Sequence, residues 1–272
     1  MMTIADSEPA LPAASAVYAD ALPVHQRFEP AADALHGRVI AITGAGEGIG
    51  RALALSAAAH GAELVLIGRT VSKLEQVHRA IAALKQAEAS IAPLDLERAL
   101  ARDYDQLAES LHSRYGRLDG LVHNAGILGT LAPIEHYDVP TWCRVLHVNL
   151  TAAFALTQVL LPALRASQDA SIIFTGSGVG RRPKAYWGAY SVSKFGIEAL
   201  SGTLADELGS AGLVRVNVLN PGPVRTRMRA QAYPAEDAST LARPEDVLRP
   251  YLWLLSAASR GVNGQSLNCQ AR

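Results

Sequence analysis

The sequence predicts an α/β protein: a doubly wound parallel sheet in a single domain, with helices on both faces. Three observations carry this. Short, nearly all-apolar runs recur along the chain, among them Val39-Ile40-Ala41-Ile42 and Leu64-Val65-Leu66-Ile67. They lack the apolar–polar alternation of a half-exposed strand, as expected for strands covered on both faces. Longer helix-forming stretches stand between them, and strand–helix repeats joined by right-handed crossovers give a wound parallel sheet.

Residues 1–36 read as a flexible or surface-draped extension. They are rich in Ala and Pro and set Asp6, Glu8, Asp20, Glu29 and Asp33 against a single Arg27. A secretory signal needs a basic start and an unbroken apolar stretch, and a mitochondrial presequence needs arginines without acids. This segment has neither pattern. Phe28 and Tyr18 are its candidates for docking on a neighbouring subunit.

The domain spans 37–272 and its structured part begins at Arg38. Val39–Thr43 is the first strand and ends in glycines, then Ile49–His60 is an alanine-rich helix closed by Gly61. Leu64–Ile67 is the second strand and Val71–Gln86 the second helix. A weaker strand, Ile91–Leu94, precedes a helix over Leu100–Tyr115. Leu118–His123 is the fourth strand, followed by a long helix around Asn149–Ala166. Ile172–Thr175 is the fifth strand, Ser191–Leu208 is helical, and Val214–Leu219 is the sixth strand. No repeat or composition break interrupts the domain.

The 272 residues carry 25 basic and 25 acidic side chains, so no net field exists to hold a polyanion. A dedicated nucleic-acid binder is therefore not expected. With 49% hydrophobic and 18% charged residues the chain can bury a core and is not expected to be disordered. Cys143 and Cys269 are too few for a disulfide scaffold or a four-thiolate zinc site, and suit the reducing cytoplasm. The eight histidines show no metal-like spacing, so no catalytic metal is expected. No uncharged run reaches about 18 apolar residues, so no membrane span is expected.

Between the first strand and first helix lies Thr43-Gly44-Ala45-Gly46-Glu47-Gly48-Ile49-Gly50. Glycines there permit a tight turn and let backbone N–H groups approach a pyrophosphate at the helix start, where the dipole favours anions. After the second strand stands Gly68-Arg69-Thr70. No carboxylate ends that strand to receive a ribose 2′-hydroxyl, and Arg69 offers a cation for a 2′-phosphate. The pattern favours NADP over NAD. A plain surface arginine is the competing reading, and Glu47 in the turn works against a phosphate.

Tyr190 and Lys194 are four residues apart, which puts both on one face of a helix. A free tyrosine titrates near 10 and is a poor base at neutral pH. A neighbouring ammonium and an oxidised nicotinamide favour tyrosinate, so the phenol becomes a usable acid/base. Taken alone, Tyr-x-x-x-Lys is an ordinary amphipathic helix surface.

Together, TGAGEGIG at 43–50, HNAG at 123–126, Asn149, Ser177, YSVSK at 190–194 and NPGPVRT at 220–226 resemble the short-chain dehydrogenase/reductase family. The resemblance covers 37–268, and LDGLVHNAG, WGAYSVSKF and YLWLL look similar to a YciK-type bacterial subgroup. It implies a catalytic set of Asn149, Ser177, Tyr190 and Lys194. Tyr190 would exchange a proton with the substrate oxygen, Ser177 would hydrogen-bond that oxygen, and Lys194 would hold the nicotinamide ribose. Asn149 would keep a water in line with Lys194, a helix cap or kink being its alternative.

For the cofactor, the resemblance implies the turn residues Gly44, Gly46, Gly48, Ile49 and Gly50 with Arg69. Asp95 and Leu96 would meet the adenine, although a helix N-cap competes for Asp95. Asn124, Ala125 and Gly126 would lie against the adenosine ribose, and Pro221, Gly222 and Thr226 on the nicotinamide side. His123 stands where many members have asparagine and reads as packing at the strand end. Arg181-Arg182-Pro183-Lys184 reads as a solvated loop, with an acidic substrate as the alternative partner.

The expected function is hydride transfer between NADP(H) and a small carbonyl or alcohol. A NAD-linked dehydrogenase and a nucleotide-binding regulatory protein without turnover are the rivals. The apolar helices around Asn149–Ala166 and Ser191–Leu208 point to a homodimer or homotetramer.

Overall fold

The structure is a computed structural model that describes residues 22–271, apart from Gln86, Ser210 and Ala211. In chain order the elements are α1 (Leu22–Arg27), β1 (Val39–Thr43), α2 (Gly48–Ala59), β2 (Glu63–Gly68), α3 (Val71–Ala82) and β3 (Ala89–Pro93). Then come α4 (Ala101–Tyr115), β4 (Gly120–His123), α5 (Val139–Leu146), α6 (Ala152–Arg165), β5 (Ala170–Thr175) and α7 (Gly188–Gly209). The chain closes with β6 (Val214–Asn220), α8 (Arg227–Ala232), α9 (Arg249–Leu255) and β7 (Ser266–Asn268). All seven strands are parallel, in the order β3-β2-β1-β4-β5-β6-β7.

The central strands are mostly apolar because both faces are covered, and the buried Arg215 and Asn217 of β6 are hydrogen-bonded exceptions. Ile172, Ile173 and Phe174 of β5 are fully buried, each contributing about 1.5–3 kcal/mol by leaving water. One core cluster joins α2, α3 and α9 to one sheet face, and a second joins α4, α6 and α7 to the other. Below the sheet, Asp169 accepts from Arg38 at 2.7 Å and Arg215 at 3.0 Å, pinning the starts of β1, β5 and β6 together.

Several expectations are corrected. Residues 22–36 are not a loose extension. Leu35 is fully buried, and the His25 imidazole packs on Trp253 of α9 with Nε2 at 3.0 Å from the Asn268 carbonyl. Phe28 packs against the domain's own core, while Tyr18 lies outside the described residues. The fourth strand starts at Gly120 rather than Leu118. The second helix ends at Ala82, and its expected last residue, Gln86, lies outside the described residues.

The expected helix over 149–166 is longer. α5 and α6 join through a π-helical turn, His147–Thr151, into one rod from Val139 to Arg165. That rod is long and apolar enough to cross a membrane by length and composition. Its apolarity is accounted for by packing, since Leu156, Leu160 and Leu164 are fully buried in the core on the α4–α7 face. A seventh strand and helices α8 and α9 go beyond the sequence reading, because β7 has three residues and α8 six, too few for a periodic signal.

Candidate active site

Parallel strands present their carboxyl ends at one edge, and a crevice opens where the strand order reverses. Here that point lies between β1 and β4. A cleft of about 640 Å³ runs along the edge, with Thr43, Gly68, Thr175 and Asn220 at the ends of β1, β2, β5 and β6 in its wall. Every expected catalytic and cofactor position lines this cleft except Gly50 and Asn149.

Gly50 sits behind the turn. A Cβ there would come within 2.3 Å of the Gly44 carbonyl oxygen and 2.5 Å of Asn124 Nδ2, so any side chain would push the turn away from the helix start. The first turn of α2 carries no acid, and Glu47 at its cap makes no side-chain bond to it. Its first N–H groups therefore remain for an anion. Glu47 is instead drawn sideways into an ion pair with Lys73 of α3.

The end of β4 is locked to this turn. The Thr43 hydroxyl accepts from the backbone N–H of Asn124 at 2.9 Å and of Ala125 at 3.0 Å. Asn124 Nδ2 donates to the Thr43 carbonyl at 3.1 Å. Sequence reading did not single out Thr43 for this task; a threonine closing a strand carries no signal of what it bonds. Across the cleft, Arg69 is exposed at the end of β2. Asp95 lines the cleft, and its Oδ1 accepts from Glu97 N at 3.1 Å in a turn ahead of α4, whose N-cap is Leu100 and not Asp95.

The catalytic candidates converge at the other end. Tyr190 and Lys194 lie on α7, and both are buried. Lys194 Nζ is 5.7 Å from the centre of the Tyr190 ring and donates to the Thr175 carbonyl at 2.7 Å. Burial pulls its pKa down to about 8 against the pull of nearby Glu198. Burial raises the Tyr190 pKa, while a hydrogen bond with Ser177 works in the opposite direction. The expected depression of the phenol is therefore absent from the protein alone. Desolvation outweighs the Ser177 hydrogen bond here, and the positive charge of an oxidised nicotinamide is a contribution the protein alone does not supply.

The Ser177 turn presses closely on α7: a Cβ at Gly180 would meet Lys194 Cβ at 2.7 Å. Tyr186 takes a left-handed backbone, φ 72°, at a cost of about 1–3 kcal/mol. Its carbonyl accepts from Ala132 N at 3.1 Å, and the turn seats Trp187 with its ring 5.8 Å from that of Tyr190.

Asn149 lies in the π-helical turn, behind the cleft. Its Oδ1 accepts from Ile127 N at 2.8 Å, and its Nδ2 donates to Ile127 O at 2.9 Å and Ser193 Oγ at 3.0 Å. The side chain thus clamps the loop after β4 to α7. A small cavity of about 10 Å³, one water's worth of space, lies between Asn149, His123, Thr175 and Lys194. His123 borders it, stacked on Phe174 at 4.7 Å with Nε2 2.8 Å from Thr157 Oγ1. Thr157 spends its proton on Ala153 O at 2.8 Å, so the imidazole donates from Nε2.

Arg181 departs from the expected solvated loop. It donates to Glu198 at 3.0 Å, to Asn268 Oδ1 at 2.7 Å and to Leu267 O at 3.0 Å, joining α7 to β7.

The short chain dehydrogenase family matches residues 38–237. The Escherichia coli oxidoreductase YciK is 42% identical over 243 residues, covering 89% of this chain and 96% of YciK. A short chain dehydrogenase structure from Pseudomonas syringae aligns with TM-score 0.88 and 49% identity, over 89% of this chain and 98% of that one. A Shigella flexneri short chain dehydrogenase complexed with NADP aligns with TM-score 0.85 and 42% identity, over 89% of this chain and all of that one. The fold, the glycine turn and these likenesses agree: the chain belongs to the short-chain dehydrogenase family of oxidoreductases and is YciK-like.

Proposed function

We propose that this protein is an NADP(H)-dependent carbonyl reductase or alcohol dehydrogenase in which Tyr190 is the general acid/base. The observation that carries the reading is the meeting of three groups at one end of the cleft. The Tyr190 phenol, the Ser177 hydroxyl that draws its pKa down and the Lys194 ammonium line the cleft opposite an anion-ready helix start.

The residues present fit the dinucleotide. The first turn of α2 carries no acid and no side-chain cap, which leaves its N–H groups to an anion, and Arg69 stands where β2 offers no carboxylate. The turn 44–50 would hold the pyrophosphate and Arg69, with Lys73, the 2′-phosphate. Asp95 and Leu96 would hold the adenine, Asn124 to Gly126 the adenosine ribose, and Pro221, Gly222 and Thr226 the nicotinamide side. Bound there, NADPH supplies the hydride. Family relatives complexed with NADP and NADPH support this choice over NAD.

This chain's own groups then manage the proton. A raised pKa keeps Tyr190 protonated at neutral pH, which suits a donor to a carbonyl oxygen. Ser177 shares that oxygen's developing charge. Lys194 stabilises the tyrosinate left behind, and the small cavity beside it, bordered by Asn149 and His123, gives a water a route for the returning proton. Asn149 serves by holding the Ile127 loop and Ser193 in place.

Two further readings belong here. Phe154 of α6 and Val192 and Phe195 of α7 are exposed on the helices that flank the sheet, which supports a homodimer or homotetramer sealed by that face. Two free cysteines, one buried and one exposed, support a cytoplasmic setting.

The test is Tyr190→Phe. NADPH consumption with a substrate of the parent enzyme should fall at least about 1,000-fold, while calorimetric NADPH binding stays within a few-fold. Undiminished turnover overturns the assignment.

A further inference from the structure

We propose that the substrates of this cleft are ketones or aldehydes with an apolar ring or chain as their body, and that polyols, sugars and amines are rejected. This rests on the reading of Tyr190 and Ser177 as the groups that take the reacting oxygen.

Tyr190 belongs to a small apolar cluster separate from the two sheet cores. Leu128 and Trp187 are buried beside it, and Met228 of α8 and Tyr233 pack against them. The Trp187 ring lies 5.8 Å from both the Tyr190 and the Tyr233 rings. Walls of this kind bind by shape and desolvation, with polar groups reserved for orientation.

The polar groups nearby are already spoken for. Thr175 Oγ1 is bonded to the Tyr251 hydroxyl at 3.1 Å. Asn220 donates to Asn268 at 3.0 Å and accepts from Gly222 N at 3.1 Å. Thr226 donates to Val224 O at 3.3 Å and accepts from Arg229 N at 3.2 Å. Thr226 has no donor left, and Asn220 and Thr175 keep at most one each, so beyond the hydroxyls of Tyr190 and Ser177 few donors remain for a second substrate hydroxyl. A buried hydroxyl without a partner costs about tenfold or more in binding.

Charge at this end points the same way. The Lys184 ammonium donates to the Tyr233 hydroxyl at 2.9 Å and lies over the Tyr233 and Trp187 rings at 5.1 and 5.9 Å. The Arg229 guanidinium lies over the Tyr233 ring at 3.9 Å, and Glu236 neutralises it. Lys184 has no carboxylate partner among the described residues. A protonated amine entering here meets an unneutralised like charge.

The experiment measures kcat/KM for NADPH-dependent reduction of cyclohexanone, 4-hydroxycyclohexanone, 4-aminocyclohexanone and erythrulose. It also measures calorimetric binding of cyclohexanol and erythritol to the NADP-saturated protein. Cyclohexanone should exceed each of the others by about tenfold or more, and cyclohexanol should bind where erythritol does not. Met228→Gln, which places an unpaired amide in the wall, should narrow the gap between cyclohexanone and its hydroxy derivative; Trp187→Ala should raise KM for cyclohexanone.

Erythrulose or the hydroxy ketone used as well as cyclohexanone would overturn the proposal, as would erythritol binding as tightly as cyclohexanol or neither alcohol binding. Preferential binding of cyclohexanol without any turnover would leave the substrate class standing and remove the reductase reading instead.

Discussion

Lys194 Nζ donates to the Thr175 carbonyl at 2.7 Å, so the last residue of a central strand anchors the ammonium beside Tyr190. The lysine is thereby held by the sheet as well as by its own helix.

This anchoring gives a pH dependence. Lys194 carries its charge below a pKa of about 8 and loses it above. The ammonium that stabilises tyrosinate is then gone, so Tyr190 becomes a weaker acid. Carbonyl reduction should fall as pH rises through about 8 in a kcat profile, and Lys194→Met should remove that limb along with most of the activity. A parent profile flat from pH 7 to 9.5 would refute the assignment.

Cofactor choice depends on exposed charge at the other end of the cleft. Arg69→Ala should weaken NADPH binding about tenfold or more while changing NADH by less than about threefold. Glu47→Gln frees Lys73 from its ion pair and should tighten NADPH. Fluorescence titration at low and high salt checks both, and the two effects should shrink in high salt. Equal losses for both dinucleotides in the Arg69 variant would remove the 2′-phosphate assignment.

His123 predicts acid sensitivity. Burial first, and the Lys194 charge second, hold its pKa at about 3 in the fold, against about 6.5 in an unfolded chain. Below 6.5 the unfolded chain takes up a proton that the folded one refuses. The contribution of the neutral imidazole is thus present above 6.5 and is lost as pH falls from 6.5 towards 3. At pH 5 the loss is roughly 2 kcal/mol. Urea unfolding of His123→Asn, which keeps a donor towards Thr157, should show a correspondingly smaller drop between pH 7.5 and 5. An unchanged drop would show that other groups govern it.

The exposed face of α6 and α7 predicts assembly. The parent should scatter light as a dimer or tetramer at micromolar concentration. Phe154→Arg with Phe195→Arg should lower the mass to a monomer with folded-state circular dichroism retained. A monomeric parent would sink the assembly reading.

Strand identity was legible in the sequence because burial on both faces leaves mostly apolar residues in β1, β2, β4, β5 and β6. The glycine turn and the Tyr190–Lys194 spacing were legible for a similar reason, since each is a local pattern. Local spacing could not show that Asn149 sits in a π-helical turn clamping Ile127, or that Thr43 braces the end of β4. Arg181, read as solvated, joins two elements nearly ninety residues apart along the chain, between Gly180 and Asn268. The N-terminal segment looked loose because Ala and Pro dominate it, yet Leu35 and His25 find buried seats that only the folded domain supplies.

What the amino-acid order determined by itself was the wound sheet and the family. Those follow from periodicity and short motifs, which act over a few residues. The folded chain decided how Tyr190 is protonated, what keeps Lys194 in place and which polar groups remain unengaged beside the reacting oxygen. Desolvation and hydrogen-bond pairing depend on neighbours far apart along the chain, so they exist only once the packing is complete.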